Sequence, residues 1–141
     1  MRGLSVLVSG AGIAGPAVAY WLLRHGSHPV LVERAPAPRT GGYIVDFWGV
    51  GYDVAERMGI IAEIRRNGYQ IKEFRVVNAR GRRVGGFNVD VFRAATHGRY
   101  VTIARSDLVK SIFRQVEGRC ETIFGDSIAS VKQSGNAVDW T

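Results

Sequence analysis

The sequence predicts an α/β fold built on a strand, a glycine turn, a helix and a second strand between Leu4 and Arg34. Three observations predict it. A near-continuous apolar run from Leu4 to Ser9 passes directly into Gly10-Ala11-Gly12-Ile13-Ala14-Gly15. Ile13, Ala17, Val18, Trp21 and Leu22 then recur at helical spacing as far as Gly26. A second run, Pro29-Val30-Leu31-Val32, ends at Glu33 and Arg34.

Each element has its own reason. The Leu4–Ser9 run suits a parallel strand covered on both faces. Pro16 falls within the first helical turn, where backbone N–H groups lack internal partners. The second strand returns parallel to the first through the right-handed crossover that the helix supplies. Ala35 to Arg39, with two prolines, reads as a loop, Gly41-Gly42 as a tight backbone, and Tyr43 to Phe47 as a short extended piece. Asp53 to Met58 and Ile60 to Arg66 read as short helices closed by Gly59 and by Asn67-Gly68. Ile71 to Val77 and Arg83 to Val89 flank the turn Asn78-Ala79-Arg80-Gly81, which predicts a hairpin. Val91 to Arg99 reads as polar and irregular, and Tyr100 to Ala104 as a strand. Ser106 is the expected N-cap of a helix whose Leu108, Val109, Ile112, Phe113 and Val116 share one face. Three short strands follow at Glu121–Phe124, Ile128–Lys132 and Ala137–Trp140, with Ser134-Gly135-Asn136 turning between the last two.

The totals limit the function classes. At 141 residues, 46% hydrophobic and 22% charged, the chain is one globular domain by length. The net charge of +7 is carried mostly by arginines that are scattered, with a tight cluster only at Arg80, Arg82 and Arg83. No stacked-aromatic or recognition-helix pattern accompanies the charge, so nucleic acid is not an expected partner. The single Cys120 excludes an internal disulfide framework and a cysteine-based zinc site, and no metal is expected. No apolar run approaches the ~20 residues of a membrane span, and the glycines interrupt what would otherwise pass for a signal peptide. No membrane partner is expected, and the cytoplasm is the expected location.

The glycine spacing carries the chemistry. Gly10 permits the sharp exit from the strand, Gly12 lets a pyrophosphate approach the backbone, and Gly15 lets the helix pack close to the strand. The pyrophosphate then sits at the helix N-terminus, where free N–H groups and the helix dipole favour negative charge. Glu33, about twenty residues on, stands where a ribose hydroxyl is accepted. Glu33 repels a ribose 2′-phosphate, although Arg34 beside it could rescue NADP. A simple nicotinamide domain would run into a third strand soon after Glu33, where this chain has Pro36, Pro38, Arg39, Gly41 and Gly42. Nor is there a Tyr-x-x-x-Lys pair, since Tyr69 to Lys72 is one residue short. These features favour FAD over NAD(P).

The segments GAGIAGPAVAYWLLRHG, VLVERAP, Arg39…Gly41-Gly42…Asp46 and IARSDLVKSIF resemble the N-terminal part of the class A FAD-dependent aromatic-ring monooxygenases, of the para-hydroxybenzoate hydroxylase and tetracycline-degrading type. The resemblance runs from Leu4 to about Trp140, and Arg105 in the R-S-D-L segment makes it specific. It implies a Rossmann-like FAD-binding βαβ domain, truncated, with an inserted β-hairpin from the substrate-side sheet at about residues 70–100. In that family Gly10, Ala11, Gly12, Ala14 and Gly15 would hold the pyrophosphate, and Glu33 the adenosine ribose. Arg34 would flank the adenine end. Arg39, Gly42 and Asp46 would lie in the segment that passes the flavin, and Arg105 would contact the ribityl–pyrophosphate region. The Phe124–Ile128 segment, including Ser127, would line the adenine. NADPH or NADH would reduce the flavin, and an aromatic or polyketide-like small molecule would be hydroxylated.

Plainer readings stand beside these. Glu33 is a solvated strand-end acid, Arg34 and Arg39 are solvated, Asp46 bonds its own loop, and Arg105 is a surface residue beside a helix start; the dipole does not favour a cation there, which makes a phosphate the better explanation of it. Arg80, Arg82 and Arg83 read as a solvated turn, Trp48, Phe87 and Phe92 as core. His25, His28 and His97 form no ligand spacing. Family members run to several hundred residues, and their Asp-Gly and Gly-Asp flavin segments have no match here; Gly125-Asp126 comes too early to be the second. The expectation is therefore an N-terminal fragment of an FAD-dependent, NAD(P)H-dependent monooxygenase. The alternatives are a non-catalytic nucleotide-binding or interaction module completed by a partner chain over its exposed sheet, and an NAD(P)-binding reductase domain.

Overall fold

In the computed structural model, which describes residues 3–38 and 40–141, the first two strands lie side by side and parallel. In chain order the elements are β1 (Ser5–Ser9), α1 (Ala14–Arg24), β2 (His28–Glu33), β3 (Ile44–Trp48), α2 (Gly49–Arg57), α3 (Ile61–Asn67) and β4 (Glu73–Val77). They continue with β5 (Arg83–Asn88), α4 (Val89–Ala95), β6 (Tyr100–Ala104), α5 (Arg105–Phe113), β7 (Glu121–Phe124), β8 (Val131–Ser134) and β9 (Ala137–Trp140). The chain divides into two compact units, Met1–Thr40 with Val109–Thr141, and Gly41–Leu108.

In the first unit β1, α1 and β2 make a parallel βαβ unit, with Val6 opposite Pro29 and Ser9 opposite Val32. The helix is the crossover that a parallel return needs. β7 joins β2 on its other side, also parallel, and the sheet order is β1-β2-β7. β2 is thus central, and its Leu31 and Val32 are buried, as are Ala19 and Tyr20 of α1. β1 is only half-buried, contrary to the reading of a strand covered on both faces; among the described residues β2 is its one sheet neighbour. β8 and β9 form a separate antiparallel hairpin. Its first strand starts at Val131, later than the expected Ile128, because the Ala129 and Ser130 N–H groups donate instead to the Thr141 carbonyl at 2.6 and 3.0 Å.

In the second unit β3 pairs antiparallel with β6, placing Asp46 opposite Thr102, and β4 with β5, placing Phe74 opposite Phe87. Tyr52, Ala55, Ile64, Val89, Val101 and Ile103 are buried there. α2 begins at Gly49, four residues before the expected Asp53: Trp48 stays extended at φ −159° and Gly49 turns the chain at φ +62°. The stretch expected to be irregular contains α4. Asn88 caps it by accepting the Asp90 N–H at 2.8 Å, and Arg93 pairs with Asp90 one turn on. Ser106 lies inside α5 rather than capping it, since the helix starts at Arg105, whose N–H donates to the Tyr43 carbonyl at 3.0 Å. Trp48 and Phe87, expected in the core, are about half exposed, at 52% and 48%. The Phe92 ring packs edge-on against Trp48 and Tyr100, and Phe87 stacks on Phe74 across the hairpin. Arg80, Arg82 and Arg83 are exposed, and Arg83 pairs with Glu73 at 3.4 Å. No helix among the described residues is long and apolar enough to cross a membrane.

Candidate functional site

The glycine turn joins the end of β1 to the start of α1. Gly10 adopts φ +96°, and its N–H donates to the Val32 carbonyl at 2.7 Å, tying the turn to the end of β2. Gly15 is where the helix meets the strand. A Cβ there would lie 1.9 Å from the Gly10 carbonyl oxygen and 3.3 Å from Leu31 Cδ2, so no side chain fits. Ile13, the N-cap, offers no side-chain acceptor, and the first turn of α1 holds no acid. The N–H groups of Ala14 and Gly15, in the first turn, precede the first intrahelical bond and sit at the positive end of the helix dipole.

Glu33 closes this turn from the second strand. Its Oε2 accepts the Ala11 N–H at 2.8 Å and its Oε1 the Ala35 N–H at 2.9 Å. The sequence assigned this carboxylate only to a ribose; it also braces the turn. The Glu33 carbonyl accepts the Asp126 N–H at 3.2 Å, and the Gly125 N–H donates to the Ala35 carbonyl at 3.0 Å. The segment bearing Ser127 thus lies beside Glu33 at the C-terminal ends of β2 and β7, the edge at which open α/β sheets bind ligands. Ser127 itself is exposed, its N–H donating to Asp126 Oδ1 at 2.7 Å. Arg34 is exposed, with no ion pair among the described residues. Arg39 lies outside the described residues. Sequence reasoning missed Ala35, which acts through a backbone group that no residue pattern marks, while Asp126 lies in the Phe124–Ile128 segment it did single out.

Gly42, Asp46 and Arg105 belong to the second unit. Gly42, at φ +122°, lies beside Arg105: a Cβ there would meet the Arg105 Cβ at 3.8 Å. Arg105 is half-buried at the start of α5. Among the described residues Asp46 bonds across strands rather than within its own loop. Its Oδ1 accepts hydrogen bonds from the hydroxyls of Tyr100 and Thr102, each at 2.7 Å, across the β3–β6 pair. Burial, and then the Asp46 carboxylate, push the Tyr100 hydroxyl above its ordinary pKa. These two partners were missed as well; the alternation of Tyr100 and Thr102 with Val101 and Ile103 puts them on one face, but only the pairing supplies Asp46. A cleft of about 430 Å³ in this unit is lined by Arg65, Tyr69, Arg93 and Tyr100 among others, and by none of the expected cofactor residues. Among the described residues no cluster of His, Cys, Asp and Glu could hold a metal ion.

A nucleotide-type turn on a parallel sheet is common to many enzymes, and similarity to known proteins narrows it. No family model matches the sequence. The chain is 36% identical over 138 residues to an uncharacterized protein of Mycobacterium tuberculosis, covering 95% of this chain and 36% of that protein. It is 34% identical over 137 residues to a flavin-dependent monooxygenase of Legionella longbeachae, covering 97% of this chain and 35% of that enzyme. Among solved structures, the tetracycline destructase Tet(51) superposes with a TM-score of 0.78 at 37% identity, over 98% of this chain and 34% of that one. Over nearly its whole length the chain is similar to part of proteins named flavin-dependent monooxygenase and tetracycline destructase. It spans about a third of the length of the curated relatives it matches. The fold also matches CtdE in complex with FAD, at a TM-score of 0.79 and 17% identity, over 99% of this chain and 34% of that one. The likeness to CtdE shows the fold, and the Legionella relative is named as flavin-dependent.

Proposed function

We propose that this chain binds FAD and forms the cofactor-gripping part of a flavin-dependent monooxygenase. One observation carries the reading: the uncapped, acid-free N-terminus of α1 stands behind a glycine turn pressed onto β1 and braced by Glu33. The donor set suits a pyrophosphate. The N–H groups of Gly10 and Ala11 go to Val32 and Glu33, so backbone N–H groups beyond Ala11 meet its negative charge, and a carboxylate at the end of β2 suits the adenosine ribose. Ser127 and its neighbours, beside Glu33 at the strand ends, suit the adenine. Arg34 flanks that end.

The second unit's Gly42, Asp46 and Arg105, with Arg39, are proposed for the rest of the cofactor on the family resemblance of their segments. When bound, the flavin supplies the redox chemistry that carries oxygen to a substrate, and the protein supplies grip and orientation. NADPH or NADH as reductant, an aromatic or polyketide-like substrate, and the Rossmann-type assignment with a substrate-side hairpin belong to the same proposal.

The purified chain titrated with FAD tests it, by flavin fluorescence and the visible spectrum. Saturable FAD binding is expected. No FAD binding, with NADPH bound instead, overturns the assignment in favour of a nicotinamide-binding domain.

A further inference from the structure

Asp46 stands on β3 as an exposed carboxylate with one oxygen occupied and the other open. Both neighbouring hydroxyls, of Tyr100 and Thr102, reach the same Oδ1, and no described residue bonds Oδ2. The two donors cannot readily move. Tyr100 and Thr102 are 8% and 4% exposed. The Phe92 ring lies edge-on to Tyr100 at 4.9 Å, and the Thr102 carbonyl accepts the Tyr69 N–H at 2.7 Å on the side away from β3. The two hydroxyl oxygens lie 2.5 Å apart, and with one proton apiece both given to Asp46 they do not also donate to each other. A carboxylate held this way on one oxygen has its side-chain rotation removed in advance, and its second oxygen is presented in a fixed direction. Such preorganisation strengthens a hydrogen bond to a ligand, since the ordering cost is met on folding.

We propose that Tyr100 and Thr102 are positioning residues. They hold Asp46 so that Oδ2 accepts a hydrogen bond from a hydroxyl or ring N–H of the bound cofactor. This rests on the FAD reading above, and it adds two residues that the family resemblance of the Asp46 segment does not include. Aspartate suits the role because an ionised carboxylate only accepts. Asparagine would turn one face into a donor, while its oxygen could still take the two hydroxyls.

The test is a mutant cycle on FAD affinity. Asp46→Asn is expected to weaken FAD binding about tenfold, and Tyr100→Phe with Thr102→Val to weaken it by a similar factor. The triple variant is expected to be no weaker than Asp46→Asn, because the hydroxyls act through the carboxylate. Thr102→Val alone, against Thr102→Ser, which restores the hydroxyl, repeats the comparison with less disturbance of the packing. Serine is expected to recover the affinity lost with valine. Losses that add in the triple variant, or Thr102→Ser binding as weakly as Thr102→Val, overturn the positioning role while leaving FAD binding intact. No FAD binding by the unsubstituted chain overturns the cofactor reading and this inference with it.

Discussion

Glu33 Oε2 accepts the backbone N–H of Ala11 at 2.8 Å, across 22 residues of sequence. The carboxylate at the end of β2 is therefore part of the glycine turn before any ligand arrives. Glu33→Gln keeps one acceptor but points an amide N–H at the second backbone donor. It is expected to cost about 1–3 kcal/mol of stability, the range for a charge-assisted hydrogen bond with a partner left unsatisfied. Urea unfolding measures this, and an unchanged midpoint would remove the bracing role.

Gly15 and Gly12 separate packing from binding. With a Cβ placed 1.9 Å from the Gly10 carbonyl oxygen, Gly15→Ala forces α1 away from β1. It is expected to destabilise by about 1–3 kcal/mol, the range for overpacking. The unfolding midpoint should fall whether or not FAD is present.

Gly12→Val is expected to abolish FAD binding by obstructing the approach of the pyrophosphate, and Arg105→Ala to weaken it. Titration of each variant beside its unfolding curve gives the answer. Retained affinity in Gly12→Val refutes the placement of the pyrophosphate, and an unchanged dissociation constant in Arg105→Ala refutes that residue's contact.

Cys120 should be a slow thiol. Burial raises its pKa above the ordinary 9.0, the largest of its influences, and its Sγ–H donates to the Pro29 carbonyl at 3.3 Å. Only the thiolate reacts, so alkylation at pH 8 is expected to be slower in the native chain than in urea. The linkage has a definite sign. The folded state favours the protonated thiol, so its contribution is fully present below pH 9.0 and is lost as pH rises above it. Tyr100, whose pKa is raised from 10.0, adds to the same alkaline loss. Equal alkylation rates in the two states would contradict the shift.

Legibility in the sequence followed the range of the interactions. β1, α1 and β2 could be read because glycine spacing, helical period and apolar runs are local and act in the same direction. β6, β7 and β9 could be read with their observed ends for the same reason, as short β-rich runs bounded by turn residues. α4 was missed although Asn88, Asp90 and Arg93 spell its cap and its charge pair. Its mixed composition hid an amphipathic pattern in only seven residues. The start of α2 was missed because Trp48 is not a capping residue, and the turn into the helix is made by the backbone of Gly49. The exposure of Trp48 and Phe87 was misread because an aromatic ring says nothing of which elements cover it.

What the sequence by itself determined is the strand, turn and helix on which the pyrophosphate proposal rests. Gly10, Gly12 and Gly15 before a helix, with an acid closing the next strand, are the order that suits a pyrophosphate at a helix N-terminus. What only the tertiary structure decided is who holds the acids. Glu33 binds Ala11 and Ala35, and Asp46 binds Tyr100 and Thr102. The physical reason is that a carboxylate takes whichever donors the fold brings within about 3 Å. The parallel return of β2 and the antiparallel register of β3 on β6 bring those donors from far along the chain, where no local pattern records them.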